Sequence, residues 1–206
     1  MKIPNGYIVA IEGIDAVGKN THSLLLAERL RRMGVETIHM SFPDYGTSIG
    51  KEIKSFLSGR RTYPAELQHL LFAANRWEKS EEIKSHLKAG ETIIVNRYTE
   101  SNLAYGSANG LGVGWLANLE NGLPRSNLVI VLDASPQSLR SRRPRSKKDA
   151  YERSSSLQTK AQKAYRELAW KHSWKLVDAQ GSIGDVQAKL LETVRGALAR
   201  DRGTSI

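Results

Sequence analysis

The chain has 206 residues and no cysteine. This absence excludes disulfide bonds, thiolate catalysis and cysteine-based zinc sites, and it suits a reducing compartment. Long apolar runs are missing as well. The apolar run near the N-terminus, Tyr7–Ile11, is too short for a signal-peptide core or a membrane span, and no other stretch approaches membrane length. The five histidines show no metal-ligand spacing. We therefore expect a cytoplasmic protein that makes no contact with a membrane.

Acidic residues are in the minority, with 21 Asp and Glu against 31 Lys and Arg, which gives a formal net charge of +10. Such a balance attracts anions, and both nucleic acid and a nucleotide with several phosphates qualify. The excess is uneven, because six of the nine residues in Arg140–Lys148 are Arg or Lys. Charge alone does not choose between the two kinds of partner.

The length, and the lack of a long Gly/Ser- or Pro-rich linker, indicate one domain over residues 1–206. Apolar segments typical of buried strands alternate with amphipathic segments, which predicts an α/β three-layer sandwich with about five parallel strands and helices on both faces. The predicted strands are Tyr7–Ile11, Val35–Met40, Thr92–Val95, Leu128–Leu132 and a short one at Leu176–Val177. The predicted helices begin at Lys19, near Ile49, at Pro64, near Leu157 and at Ile183. The third is one long helix that ends at Ala89, and its Trp77 is expected in the core.

A glycine-rich segment, Gly13–Thr21, follows the first strand and opens the first helix. Strand, glycines and lysine in this order are the pattern of a P-loop, whose backbone N–H groups and helix N-terminus hold phosphate oxygens. Lys19 supplies a full positive charge for the β- and γ-phosphates of ATP. The expected ATP phosphate-binding residues are Gly13, Asp15, Ala16, Val17, Gly18, Lys19, Asn20 and Thr21.

Further segments of the chain are similar to the thymidylate kinases, within the P-loop nucleoside monophosphate kinase group. The resemblance runs from about Tyr7 to Ala199. The segments that carry it are Glu12-Gly13-Ile14-Asp15, Phe42-Pro43, Leu70-Leu71-Phe72-Ala73-Ala74-Asn75-Arg76-Trp77-Glu78, Asn96-Arg97-Tyr98, Gly122-Leu123-Pro124-Arg125, Tyr151-Glu152 and Val177-Asp178-Ala179. The resemblance implies a P-loop kinase fold with a lid, ATP and Mg²⁺ as cofactors, dTMP as acceptor, and a homodimer.

The resemblance also implies roles for single residues. Asp15 is expected to contact the acceptor's sugar 3′-hydroxyl, and Arg97 to grip the acceptor phosphate. Phe72 is expected to stack on thymine and Arg76 to bind a base carbonyl; they lie at i and i+4 on a helix, so both can face one pocket. Tyr105 is expected to exclude a ribose 2′-hydroxyl. The full set implied for dTMP binding is Asp15, Phe42, Phe72, Arg76, Arg97, Ser101 and Tyr105.

Three positions depart from the family's pattern. Tyr45 stands where the family has an arginine, so a cationic contact to the acceptor phosphate is missing there. Asn20 replaces the Ser or Thr that follows the P-loop lysine, and Asn96 replaces an Asp. A hydroxyl and a carboxylate usually help to hold Mg²⁺ at these two places, although an amide oxygen can coordinate the ion directly or through water. Either the phosphates and water carry the metal, or the activity is low.

The basic segment is expected to belong to the family's lid, at about residues 140–155, which closes over the phosphates and excludes water. Its cations would stabilise the charge that spreads over the transferred phosphoryl group. The expected lid residues are Arg140, Arg142, Arg143, Arg145, Tyr151, Glu152 and Arg153. The expected catalytic residues are Lys19, Arg97, Asp15 and Arg143, and Asp178 and Ala179 are expected on the adenine side.

These observations predict phosphoryl transfer from ATP to dTMP, giving dTDP and ADP. Two alternatives stay open. One is a kinase for another pyrimidine nucleotide or for a nucleoside. The other is a catalytically weak relative that binds nucleotide or nucleic acid, which the charge and the amides Asn20 and Asn96 favour. Phe72 beside Arg76, together with the basic lid, favours phosphoryl transfer to dTMP over both alternatives. Nucleic acid is not the expected partner.

Overall fold

A computed structural model describes residues 6–135, 138–139 and 149–202, with residues 201 and 202 described by their backbone alone. Five strands form one parallel sheet with the order β2-β3-β1-β4-β5, which confirms the predicted fold class. The strands are β1 Tyr7–Glu12, β2 Thr37–Ser41, β3 Thr92–Asn96, β4 Leu128–Asp133 and β5 Lys175–Asp178. No helix within the described ranges has the length and apolar character needed to cross a membrane.

Helices connect the strands and cover the sheet. In chain order they are α1 Lys19–Arg32, α2 Ser48–Leu57, α3 Ala65–Trp77, α4 Ser80–Lys88, α5 Thr99–Ala108, α6 Val113–Leu119, α7 Ala150–Arg153, α8 Ser155–His172 and α9 Ile183–Arg202. α1 packs on α9 and on β2 and β3, while α5 and α8 pack on each other and on strands β1 and β4. These two pairs of helices give the layered arrangement that the alternating pattern predicts.

β1 lies at the centre of the sheet, and every residue in it is buried. It pairs in parallel with β3 on one side and with β4 on the other. The register places Ile11 beside Asn96 at the ends of β1 and β3. The segments that follow these strands therefore leave the sheet side by side, at the carboxyl edge where ligands bind in such sheets.

The apolar side chains between the layers are almost completely buried. They include Ile8, Ile11, Leu26, Leu30, Ile93, Ile94, Ile130, Leu190 and Val194. Each such side chain contributes roughly 1.5–3 kcal/mol when it leaves water. The sheet and its helices therefore form a firm base for the polar loops at the carboxyl edge.

The single long helix expected over Pro64–Ala89 is wrong, because the structure has two helices, α3 and α4, in this region. The residues between them make polar contacts to the segment around the start of α2. Glu78 Oε1 accepts the backbone N–H of Ile49 at 3.2 Å, and the Lys79 ammonium lies 3.3 Å from the Asp44 carboxylate. Apolar spacing continues across this break, so it does not reveal the turn.

The expectation that Trp77 packs in the core is also wrong. Its side chain is 38% exposed, and its indole N–H donates to the carbonyl of Leu119 at 2.9 Å. The buried face of α3 carries His69, Ala73 and Arg76 instead. The apolar stripe of this helix therefore faces outward, and polar side chains face inward.

α5 and α6 have no counterpart among the predicted helices. α5 turns the polar residues Glu100, Ser101 and Asn102 inward, and all three are buried. A helix with a polar buried face shows no apolar stripe in its sequence, so periodicity cannot find it. Ser101 and Asn102 belong to the site described next.

Candidate active site

The segment between β1 and α1 curls back on itself. Gly13 and Gly18 have φ angles of +131° and +96°, which favour glycine. A Cβ on Gly13 would lie 2.5 Å from the carbonyl oxygen of Leu132, so only glycine fits there. Lys19, the first residue of α1, folds over the loop and donates to the carbonyl of Ile14 at 2.7 Å. This is the geometry of a phosphate-binding loop with its lysine in place.

Asp15, inside this loop, is the centre of a cluster of polar groups. Its Oδ1 forms an ion pair with the Arg97 guanidinium and lies 3.7 Å from the Lys19 ammonium. Its Oδ2 accepts hydrogen bonds from the Gln158 amide at 2.7 Å and from the Tyr105 hydroxyl at 3.2 Å. One carboxylate thus ties the phosphate loop to the residue after β3, to α5 and to α8.

Burial and the neighbouring charges shift the pKa values of Asp15 and Lys19 in different ways. Burial raises the pKa of Asp15, but the cations Arg97 and Lys19 outweigh it and hold this pKa at about 2. Burial and the neighbouring Arg97 guanidinium lower the pKa of Lys19 to about 7, against the opposing effect of Asp15. Without a bound anion, the lysine therefore titrates near neutral pH.

Arg97 follows β3 directly and has a φ angle of +62°. A non-glycine residue in this left-handed region carries backbone strain, which persists only where the surroundings hold it. Here the Arg97 N–H donates to the Ile11 carbonyl at 3.1 Å, and its guanidinium lies 5.1 Å from the centre of the Tyr105 ring. This backbone conformation directs the guanidinium toward the phosphate loop.

Glu12, the last residue of β1, supports this arrangement from below. It is completely buried, and its carboxylate accepts from the Tyr98 N–H at 2.7 Å, the Ser101 hydroxyl at 2.5 Å and the Tyr165 hydroxyl at 2.7 Å. These bonds join the start of α5 and the middle of α8 to the central strand. Glu12 belongs to the resemblance but was not among the predicted site residues.

A cavity of about 330 Å³ opens beside the loop. The structure brings many of the predicted residues to its wall: Asp15, Asn20, Phe42, Phe72, Arg76, Asn96, Arg97, Ser101, Tyr105, Tyr151 and Glu152. Further lining residues that were not predicted as site residues are Ser41, Pro43, Tyr45, Leu57, His69, Asn102 and Asp149. Segments that are far apart in the chain therefore form one chamber next to Lys19.

One end of the cavity is an aromatic slot. The ring of Tyr151 stacks on that of Tyr105, with centroids 5.6 Å apart, and meets the ring of Phe72 edge-on at 5.9 Å. Phe72 also contacts Phe56 and His69 edge-on. Aromatic side chains at a cavity wall can stack on a flat aromatic ligand.

Arg76 at the same end is held rigidly. Its Nε donates to Glu120 Oε2 at 2.9 Å, and its Nη2 donates to Glu120 Oε1, so the pair is bidentate. Both side chains are buried. In the described part of the chain Nη1 has no hydrogen-bond partner, and it remains for a ligand in the cavity. Glu120 was missed in the sequence because it lies 44 residues away, beyond a helix without an apolar stripe.

Asn20 and Asn96 line the same cavity. Asn96 Nδ2 donates to the Ser41 hydroxyl at 2.9 Å, whereas its buried Oδ1 has no hydrogen-bond partner. Within the described ranges no group of three or more His, Cys, Asp or Glu side chains could hold a metal ion. Amide oxygens suit Mg²⁺, so the donors fit an ion whose charge is balanced mainly by phosphates.

The segment expected to form the lid is described only at its end. Arg140, Arg142, Arg143 and Arg145 lie outside the described residues. Tyr151, Glu152 and Arg153 form α7, which Asp149 caps by accepting the Glu152 N–H at 2.8 Å. Gln158 Nε2 joins this helix to the loop, since it donates both to the Tyr151 carbonyl and to Asp15. No sequence pattern pointed to Gln158, which is 143 residues from Asp15.

The two residues expected on the adenine side lie beyond the cavity wall. Ala179 follows β5, and its N–H donates to the carbonyl of Asp133 at 2.8 Å. The Asp178 carboxylate is largely exposed and lies 3.7 Å from the Lys189 ammonium. Both residues lie at the carboxyl edge of the sheet, on the side of β4 away from β1.

These features define a phosphotransferase of the P-loop class. The loop and Lys19 can hold a polyphosphate, Arg97 can hold a second anion beside it, and the aromatic slot can hold the base of that second ligand. The elements surround a chamber of the size that small ligands occupy.

Comparison with known proteins identifies the family. A family model described as thymidylate kinase matches residues 11–190. The thymidylate kinase of Arabidopsis thaliana is 36% identical over 93% of this chain and 72% of its own length. The human enzyme is 31% identical over 98% of both chains. A solved structure of thymidylate kinase from Candida albicans superposes with a TM-score of 0.82 at 30% identity, covering 92% of this chain and 91% of its own. The chain belongs to the thymidylate kinase family and is an enzyme of that type.

Binding of a non-hydrolysable ATP analogue at about pH 8 is expected to take up close to one proton. Lys19, with its pKa of about 7, is mostly neutral there in the ligand-free protein, and the phosphates would raise its pKa and charge it. At about pH 6 the amine is already protonated, so the uptake should vanish. Titration calorimetry in buffers of different ionisation enthalpy measures the number of protons.

Lys19→Arg is the matched control, because a guanidinium stays charged throughout this pH range. The variant should bind the analogue without proton uptake. Equal uptake by the variant would assign the proton to another group and contradict the lowered pKa of Lys19.

Proposed function

We propose that the protein transfers the terminal phosphoryl group of ATP to dTMP, giving dTDP and ADP. The observation that carries the proposal is the position of the Asp15–Arg97 pair, which lies between Lys19 of the phosphate loop and the aromatic slot of the same cavity. At this place a donor phosphate on the loop could meet an acceptor phosphate held by Arg97.

The reaction needs positioning and charge rather than a general base. An acceptor phosphate oxygen is already an anion, so it can attack the γ-phosphorus directly while the bond to the bridging oxygen of ADP breaks. The loop N–H groups and Lys19 would hold the β- and γ-phosphates, and Arg97 would hold the acceptor phosphate. Together they would balance the charge that develops during transfer.

The sugar and base of dTMP would lie in the remainder of the cavity. The Asp15 carboxylate can accept from a 3′-hydroxyl, and the Tyr105 ring, fixed by its hydroxyl on Asp15, leaves little room for a 2′-hydroxyl. Thymine would stack on Phe72, and Arg76 Nη1 would donate to a base carbonyl. Phe42 and Ser101 would complete the wall.

The remaining roles concern charge at the donor side. Asn20 and Asn96 would hold Mg²⁺, which when bound neutralises phosphate charge. Arg143, with Arg140, Arg142 and Arg145, would supply the lid's cations. Tyr151, Glu152 and Arg153 would form the end of the lid. Asp178 and Ala179 would border the adenine. One cytoplasmic domain over residues 1–206 would carry the whole activity, and nucleic acid is not an expected partner.

A panel of acceptors tests the function. With ATP and Mg²⁺, ADP formation is expected to be fastest with dTMP, slower with dUMP, and slowest with UMP, CMP, AMP and thymidine. Lys19→Ala should lower the rate with dTMP at least about a hundredfold, because the transition state loses a buried charge. Coupled measurement of ADP, with product identified by chromatography, checks both. A panel in which dTMP is the poorest acceptor would contradict the proposal.

Tyr45→Arg is expected to lower the KM for dTMP about tenfold, because a second cation beside Arg97 would bind the acceptor phosphate. Tyr45 already lines the cavity and is 41% exposed, so a longer side chain has room. The measurement is steady-state kinetics with dTMP varied at saturating ATP. Tyr45→Phe, which adds no charge, should change the KM less than about threefold. An unchanged KM in Tyr45→Arg would show that position 45 does not face the phosphate.

The proposal includes a homodimer that buries the outer face of α3. Leu67, Leu70 and Trp77 lie on this face and are 37–42% exposed, and Trp115 of α6 is 38% exposed. A row of large apolar side chains on one helix is typical of a surface that a partner covers. In a symmetric dimer each of these side chains would be buried in both subunits.

Leu70→Glu is expected to weaken dimerisation at least about a hundredfold, since two charges would be buried in one symmetric interface. Sedimentation velocity over a range of protein concentrations measures the change. Leu176→Glu, on the edge strand β5 and 50% exposed, is the matched control and should leave the association unchanged. A wild-type protein that stays monomeric at high concentration would refute the dimer.

A further inference from the structure

A continuous row of side-chain hydrogen bonds runs along the cavity from Arg76 to the end of the lid. It starts at the Arg76–Glu120 pair, where Glu120 Oε1 also accepts from Asn102 Nδ2 at 2.8 Å. Asn102 Oδ1 then faces His69 Nδ1 at 2.6 Å. On the other side of the ring, His69 Nε2 lies 3.1 Å from Asn109 Nδ2. His69 is thus the middle member of the row.

The bonding partners determine the state of His69. Because the Asn102 amide group donates to Glu120, its oxygen must accept, and His69 Nδ1 must carry the proton. Asn109 Nδ2 is a donor, so His69 Nε2 must accept and the ring must be neutral. Burial agrees with this, since it lowers the pKa of His69 to about 4.

The row ends on the lid residue Tyr151. Asn109 Nδ2 also donates to the Tyr151 hydroxyl at 3.2 Å, and this hydroxyl donates to Gln68 Oε1 at 2.7 Å. The ring of Tyr151 lies against Tyr105 and Phe72, where the base of the acceptor is proposed to bind. The row therefore joins Arg76 and Tyr151, two side chains that border the proposed site of the base.

We propose that His69 is a positioning residue that fixes the position of Tyr151 relative to Arg76, so that both side chains can contact an acceptor that carries a base. This inference rests on the proposed function, because it assumes that the base binds between Phe72 and Arg76. His69 acts through Asn109 and Asn102, and each link is a buried or half-buried polar contact. Loss of one link leaves its partner unsatisfied, which makes the row a cooperative unit.

The proposal predicts a loss that depends on the base. In Asn109→Ala the link between His69 and Tyr151 is cut, and Tyr151 is no longer aligned with Arg76. The affinity for dTMP should fall about tenfold, as expected for one broken polar link. The affinity for 2-deoxyribose 5-phosphate, which has the sugar and phosphate but no base, should change less than about twofold. Calorimetric titration of dTMP, with displacement titration for the weaker ligand, measures both.

Two further variants separate this role from a general effect on folding. Tyr151→Phe should give the same base-dependent loss, and the double variant Asn109→Ala/Tyr151→Phe should lose no more than the larger single loss, because both remove the same link. Gln68→Ala is the matched control: it removes the other partner of the Tyr151 hydroxyl and leaves the His69 route intact, so dTMP affinity should stay close to that of the wild type. Thermal unfolding confirms that each variant is folded.

A failure of the inference about His69 can be distinguished from a failure of the proposed function. If wild-type protein forms no dTDP in the acceptor panel, the proposed function fails, whatever the binding results. If dTDP is formed but Asn109→Ala weakens dTMP and 2-deoxyribose 5-phosphate equally, the row is only structural and the inference is overturned. An unchanged dTMP affinity in Asn109→Ala, or an equal loss in Gln68→Ala, would overturn it as well.

Discussion

The contact on which the site depends is the Asp15 carboxylate held between Arg97 and Lys19. Two cations at separations of about 4–6 Å repel each other by roughly 3–4 kcal/mol at an effective dielectric constant near 20. Asp15 compensates for part of this repulsion when no phosphate is bound, while burial and the neighbouring Arg97 guanidinium lower the pKa of Lys19. The amine of Lys19 and the guanidinium of Arg97 are thus held in place before the substrates arrive. Prepositioned groups are what electrostatic catalysis requires, since nothing has to reorient during the reaction.

The sheet makes this contact possible. The register that places Ile11 beside Asn96 brings the phosphate loop and Arg97 to the same point of the carboxyl edge. The left-handed backbone of Arg97 then turns its guanidinium toward Asp15, and buried Glu12 fixes the helix that follows. The strain at Arg97 is tolerated because the surrounding core is closely packed.

The sequence was most informative where the signal is local. The P-loop lies in consecutive residues, and Phe72 and Arg76 are one helical turn apart, so pattern and resemblance both found them. The groups that orient these residues were not found, because Glu120, Gln158 and His69 act through contacts between distant segments. The same limit explains α5, whose inward polar face has no apolar period, and the outward apolar stripe of α3 that suggested a core position for Trp77. Periodicity reports which face is apolar, not which face is buried.

The charge balance of the site bears on the role of the basic segment. The charged residues at the cavity wall are the cations Arg76 and Arg97 and the anions Asp15, Asp149 and Glu152. Lys19 contacts Asp15, and Glu120 contacts Arg76. With these two included, the fully ionised site has one negative charge more than it has positive charges. The neutral Tyr45, Asn20 and Asn96 add no charge. A site with this balance does not by itself attract two phosphate-bearing ligands. In the proposed function the six Arg and Lys residues in Arg140–Lys148 would reverse this balance, and the basic segment would then serve substrate binding as well as stabilise the transferred group.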